Sequence, residues 1–191
     1  MNSDTRSTLI DIATTQVRRQ GYAGFSYAHL ASVAGIRKPS IHHHFPLKED
    51  LGVAIVREYT QRFSERLDDI DARDEGAVER LRAYGSLYRE AVTAGHACLC
   101  GVLASEVAIL PESLQGAVRQ FFRLQLRWLE RALKGGESEG SLRPNIQPRQ
   151  DARTILATLQ GAMFVALSLA EPASFDQALA GLLKGLIRQR G

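Results

Sequence analysis

The segment Gly35–Phe45 reads GIRKPSIHHHF, two cations, a serine and three consecutive histidines within eleven residues. What these side chains share is donation of hydrogen bonds to anions and base edges. Arginine and lysine address guanine or phosphate, and serine addresses either. Histidine donates to phosphate, more strongly when protonated. Metal binding is the competing chemistry. Successive residues on a helix point about 100° apart, so three adjacent histidines cannot all ligate one ion. No metal site and no cofactor are expected.

A second group stands at His96–Glu106, HACLCGVLASE. Cys98 follows Gly95 and His96, which would place a thiol at a helix start beside an imidazole, a setting that favours the thiolate. Cys98 and Cys100 are two positions apart and would diverge on a helix, so a bridge between them requires that the helix has not yet begun. Two small buried hydrophobes are the alternative reading. A helical enzyme working through Cys98 and His96 would need an oriented third group and an oxyanion hole. The sequence offers neither, so the chain is read as non-enzymatic.

The elements that must position these residues are helical. No sustained period-two alternation and no Asn-Gly or Asp-Gly hairpin signal appears. An all-α chain of about nine helices is expected. The first runs from about Ser3 to Gln20 and is stopped by Gly21. Ser26 caps a second, YAHLASVA, which ends at Gly35. Arg37–His44 is a third, with Pro39 tolerated in its first turn. A fourth opens at FPLKEDL and reaches about Ile70, and the polar segment Asp71–Gly76 follows as a turn. Further helices are expected over Ala77–Ala94, from Cys98 to the stop at Pro111, over Glu112–Leu133, Pro148–Ala170 and Ala173–Arg190. The helix over Glu112–Leu133 shows two apolar stripes. Gly135–Pro148 reads as a loop.

Composition sets bounds. The 191 residues are 45% hydrophobic and 24% charged, ordinary for a globular chain. The net charge of +3 does not by itself require a nucleic acid. Residues 1–50 nevertheless carry six Lys/Arg against four Asp/Glu, with four of the five histidines. Two cysteines are no disulfide framework and fit a reducing compartment, so the expected location is cytoplasmic. The apolar run Ile155–Ala170 is short for a membrane span and contains Gln160, so no membrane association is expected.

Two short helices separated by a glycine, with small or apolar Ala31, Val33, Ala34 and Ile36 at the crossing, form a helix-turn-helix pattern whose second helix enters a major groove. Ile41 and Phe45, four apart, would anchor it inward. The run GFSYAHLASVAGIRKPSIHHHFPLKEDL resembles the signature of the TetR family of bacterial transcriptional regulators. The matching positions are Gly24, Phe25, Ala31, Ala34, Gly35, Ile36, Ser40, Ile41, His43, His44, Phe45, Lys48, Glu49 and Leu51. The resemblance implies that residues 1–50 form a DNA-binding domain and residues 51–191 bind a ligand and dimerise. DNA contact is expected from Ser26, Tyr27, Arg37, Lys38, Pro39, Ser40, His42, His43, His44 and Lys48. Lys48, at a helix start, would clamp a phosphate.

A small-molecule effector is expected among the central helices, with Tyr84, Tyr88, Cys98, Leu103, Glu106, Phe122, Leu126, Trp128 and Phe164 as lining candidates. Glu106 stands amid VLASEVAIL and must find a partner, an internal arginine or the ligand. The His96–Glu106 stretch also resembles members that sense electrophiles through cysteine. A homodimer is expected through the last two helices, where Phe175, Leu179, Leu182, Leu183, Leu186 and Ile187 make one stripe and Ala157, Gly161, Ala162 and Ala166 permit close approach. The implied function is a ligand-responsive regulator of double-stranded DNA, read as a repressor; an activator, or a helical interaction module that has lost DNA binding, are the alternatives. His42 departs from the tyrosine usual in the family. A neutral imidazole has one donor fewer than the cation, so operator affinity is expected to fall as pH rises, which anisotropy titrations at several pH values would check.

Overall fold

The computed structural model describes residues 2–73 and 75–188. Among them are nine α-helices: α1 Asn2–Gly24, α2 Tyr27–Ala34, α3 Lys38–His44, α4 Lys48–Asp71, α5 Ala77–Thr93, α6 Leu99–Ser105, α7 Glu112–Glu139, α8 Pro148–Leu169 and α9 Pro172–Leu186. A short 3-10 turn spans Val107–Ile109. The described residues include no β-strand, only an isolated bridge between Leu142 and Ile187. The all-helical expectation is met.

The chain divides into two compact units. The first holds the described residues up to Arg62 together with Leu99–Phe121; the second holds Phe63–Cys98 and the described residues from Phe122 onward. In the first unit Leu9, Ala13 and Val17 of α1 are fully buried, with Leu30, Ile41, Phe45, Leu51 and Ile55. These positions recur at helical spacing, so each short helix presents one apolar face inward. In the second unit α9 packs on α8 and α5, and Phe175, Leu159, Met163 and Tyr84 lie in its core.

Several expected boundaries move. The helix begun at Glu112 does not stop at Leu133 but runs through Gly135 and Gly136 to Glu139. A Cβ at Gly136 would overlap Leu142 and Ala77, so the glycine here permits close packing. Glu139 also accepts the Ala77 N–H at 3.0 Å, which caps α5. The expected helix from Cys98 to Pro111 is instead α6 followed by the 3-10 turn. The last helix ends at Leu186; Gln189 and Arg190 of the expected helix lie outside the described residues, as does Asp74 of the expected turn. The two expected stripes on α7 are one broad buried face, Leu114, Val118, Phe121, Gln125, Trp128, Leu129 and Ala132.

Helix α8 is long and apolar enough, by length and composition, to cross a membrane. Its Ala152, Ile155, Leu159, Met163 and Ala166 row is buried in the second unit. The dimer stripe on α9 is partly used within the chain, since Phe175, Leu183 and Leu186 are buried there. Replacing Phe175, which is fully buried, by alanine should lower the unfolding free energy by about 3–5 kcal/mol, measured by urea titration of the full chain.

Candidate nucleic-acid interface

The candidate reading surface is built locally. Ser26, in extended backbone, accepts the His29 N–H at 3.2 Å and starts α2. Gly35, at φ 66° and ψ 26°, ends α2 in the left-handed region, where a side chain would be strained. Pro39 lies in the first turn of α3, where its missing N–H costs nothing. Ile41 is fully buried and Phe45 is 2% exposed, so the anchor pair faces inward as expected. Arg37, Lys38, Pro39, Ser40, His42 and His43 are exposed, and His44 is half-buried. From Ser26 to Phe45 the chain carries no Asp or Glu. The result is an uninterrupted donor-rich face on a short anchored helix.

Other expected contacts are occupied inside the head. The Tyr27 hydroxyl lies 2.9 Å from the Phe45 carbonyl oxygen and 2.7 Å from that of Leu47, and shares its proton between them. Burial, with Asp50 and Tyr22 nearby, holds this phenol well above the usual range, so it remains a donor. His42 packs edge-on against the Tyr27 ring at 4.9 Å, with Nδ1 3.1 Å from the Pro46 carbonyl oxygen. That contact makes Nδ1 the protonated nitrogen of the neutral ring. Tyr27 and His42 together fix the turn from α3 to α4.

Lys48 departs from the expected clamp. Its ammonium donates to the Tyr22 carbonyl oxygen at 2.6 Å and sits 4.3 Å from the Tyr22 ring centre and 5.5 Å from that of Phe25. Burial lowers its pKa, and the Glu106 carboxylate opposes that shift. The charge is directed into the junction of α1 and α2.

Glu106 completes that junction, and the expectation that it meets an arginine or a ligand is corrected. Its carboxylate accepts the Tyr22 N–H at 2.5 Å and the Ala23 N–H at 3.4 Å. These amides are free because α1 breaks at Gly21, whose φ of 74° and ψ of 174° are accessible to glycine but strained for other residues. A Cβ at Gly21 would also overlap the Glu106 carboxylate. Sequence reasoning missed this brace because the partner is backbone 84 positions away. The only local signal was a carboxylate in an apolar run.

The expected effector residues separate. Tyr84, Tyr88 and Trp128 come together in the second unit, where the Tyr84 and Trp128 rings stack at 5.4 Å. Phe122 and Leu126 of α7 are half-buried. Leu103 and Glu106 belong to the first unit. Phe164, at 37% exposure, lies on the outward face of α8, so it does not line an interior site. Cys98 and Cys100 are 3% and 0% exposed, and the Cys98 N–H donates to the Met163 sulfur at 3.1 Å. Both cysteines are thus small buried groups, the alternative reading, without the access that covalent sensing needs.

Replacing Glu106 by alanine leaves two amides without their acceptor and removes the carboxylate that opposes the lowering of the Lys48 pKa. The variant should lose about 1–3 kcal/mol of stability, read by thermal or urea unfolding, with Gly21→Ala destabilised in the same direction.

Comparison with known proteins agrees with this geometry. Residues 9–55 match the family model "Bacterial regulatory proteins, tetR family". Residues 77–182 match "Tetracyclin repressor-like, C-terminal domain". A crystal structure of a TetR family transcriptional regulator from Agrobacterium tumefaciens superposes with a TM-score of 0.95 at 33% identity, covering 98% of this chain and 100% of that one. The HTH-type transcriptional repressor NemR of Escherichia coli (strain K12) is 27% identical over 165 residues, 83% of this chain and 82% of its own. The HTH-type transcriptional repressor DhaR of Mycobacterium sp. (strain GP1) is 26% identical over 162 residues, 83% of this chain and 80% of its own. The chain belongs to the tetR family of bacterial regulatory proteins: it is a ligand-responsive, DNA-binding transcriptional regulator.

Proposed function

We propose that the protein is a homodimeric repressor that holds a palindromic operator through α3 and releases it when a small molecule binds the second unit. The observation that carries the reading is the exposed, acid-free face from Arg37 to His43, anchored by Ile41 and Phe45. Two relatives carry the name of repressor, which favours that sign of regulation over activation. In this reading residues 1–50 are the reading head and residues 51–191 the effector and dimerisation portion, working in the cytoplasm without enzymatic activity.

One head touches few bases, and two-fold symmetry would supply a second half-site about 34 Å away. The outward faces of the last two helices suit that pairing. Phe164, Val165 and Leu169 on α8 are 37%, 54% and 56% exposed. Ala157 and Gly161 beside them, and Ala180, Gly181 and Gly185 on α9, are also exposed. Space lies open above Gly161, Gly181 and Gly185, so a partner's helices can approach closely. Phe164 is accordingly assigned to this face. The buried cysteines favour a reversibly bound effector over an electrophile. The effector would shift the population toward a state whose heads are wrongly spaced for the operator.

Selection of bound duplexes from a random pool tests the reading, and an enriched palindrome is the expected result. On that duplex Arg37→Ala and Lys38→Ala should each flatten the slope of log affinity against log salt by about one. Absence of enrichment at low salt from a confirmed dimer would favour an interaction module instead. Val165→Glu should convert the dimer to monomer in sedimentation and weaken operator binding with it.

A further inference from the structure

Tyr84 and Tyr88 of α5 meet Gln125 and Trp128 of α7 deep in the second unit. Phe63 meets both tyrosine rings edge-on, at 6.4 and 6.5 Å. Gln125, in the middle of this aromatic set, is fully buried. Its Oε1 accepts the Tyr84 and Tyr88 hydroxyls at 2.7 Å each. Its Nε2 has no hydrogen-bond partner. Turning the amide end for end does not remove the problem. The nitrogen would then donate to the two hydroxyls, and the oxygen would be the orphan. From α8, the Gln160 Nε2 donates to the same Tyr88 hydroxyl at 3.3 Å, and its Oε1 is buried without a partner. Two carboxamides therefore flank one phenol, each with one unused atom. Buried polar atoms without partners are rare in folded proteins, and a bound molecule is one way of meeting them.

The chemistry of the occupant follows from the groups present. All four are uncharged, two phenols and two carboxamides. Burial holds the Tyr84 phenol far above its ordinary range, so it stays neutral and the surroundings disfavour charge. An ionic ligand would lose its hydration and receive no counter-charge from these groups. The unused atoms are one donor and one acceptor, the two capacities that a hydroxyl group combines without charge. The flanking Phe63 and Trp128 rings suit an apolar, flat body.

We infer that the Gln125–Gln160–Tyr88 cluster is the polar end of the effector site, and that the effector is a neutral, largely apolar molecule bearing a hydroxyl group, an alcohol or a phenol. The inference rests on the reading of the second unit as the effector portion. Trp128 is the chain's sole tryptophan and stacks on Tyr84, so its emission reports on the cluster.

The test titrates the full chain with three probes of similar shape, benzyl alcohol, toluene and benzoate, and follows Trp128 emission. Benzyl alcohol should act saturably at concentrations about tenfold below either of the others, because only it offers a neutral donor and acceptor together. Gln160→Leu, which costs the fold a single long hydrogen bond, should abolish that preference. Gln125→Met should do the same, and its folding is checked by circular dichroism, since it also strips both tyrosines of an acceptor. Equal responses to toluene and benzyl alcohol, or a preference that survives in Gln160→Leu, would overturn the assignment. So would the lack of any saturable response, which would mean that the unused atoms hold trapped water only. A selected operator released by some other molecule with no change in Trp128 emission would sink this site and leave the repressor reading standing. The expected probe preference without any selected operator would do the reverse.

Discussion

A single carboxylate, that of Glu106, meets the bend on which the helix order of the first unit turns. Glu106 reaches the two amides that α1 exposes where it breaks at Gly21. Without that break, α1 would continue straight and α2 could not turn back across it. Without the carboxylate, two N–H groups at the bend would face each other's partial charge with no acceptor. Lys48 closes the arrangement from α4, donating to the Tyr22 carbonyl while its charge balances Glu106. The direction of α2, and through the Gly35 turn that of α3, thus depends on a contact made outside the helix-turn-helix segment.

Two polar clusters, one in each unit, are satisfied to different degrees. At the α1–α2 junction the half-buried Glu106 carboxylate meets two backbone donors, with the Lys48 cation nearby. Around Gln125 the polar groups are neutral and one capacity is left over on each amide. The first arrangement suits a part that must keep one shape, because breaking any contact strands a charge. The second suits a part whose best-satisfied state includes something else.

What the sequence revealed and what it concealed divide along the distance over which each feature is decided. The helix-turn-helix was legible because its signals are local: the Ser26 cap, the glycine at Gly35, the Ile41 and Phe45 spacing, and a donor-only run between them. The role of Glu106 was not legible, because its partners are main-chain amides that every residue carries and only the tertiary fold selects. Gln125 drew no notice in the sequence. Its place four residues after Phe121 and three before Trp128 put it on the buried face, and that spacing was the available clue. The Gly135–Gly136 pair read as a breaker, and the helix continues there because Ala77 and Leu142 leave no room for a side chain at Gly136. Phe164 was placed among the lining candidates, and the structure turns it outward on α8. An apolar residue looks the same in sequence whether its helix turns it toward a neighbour or away from one.

The first unit is assembled from two stretches of chain separated by the whole of α5. A ribosome delivers them in order, so α1, α2 and α3 emerge long before Glu106 does. During that interval the bend at Gly21 lacks its acceptor and Lys48 its counter-charge. The reading head therefore reaches its braced form only after the first helices of the sensing portion have been synthesised. A chain that stalls or is cut short within α5 carries the whole of α1, α2 and α3 and lacks the Glu106 carboxylate that meets the bend at Gly21.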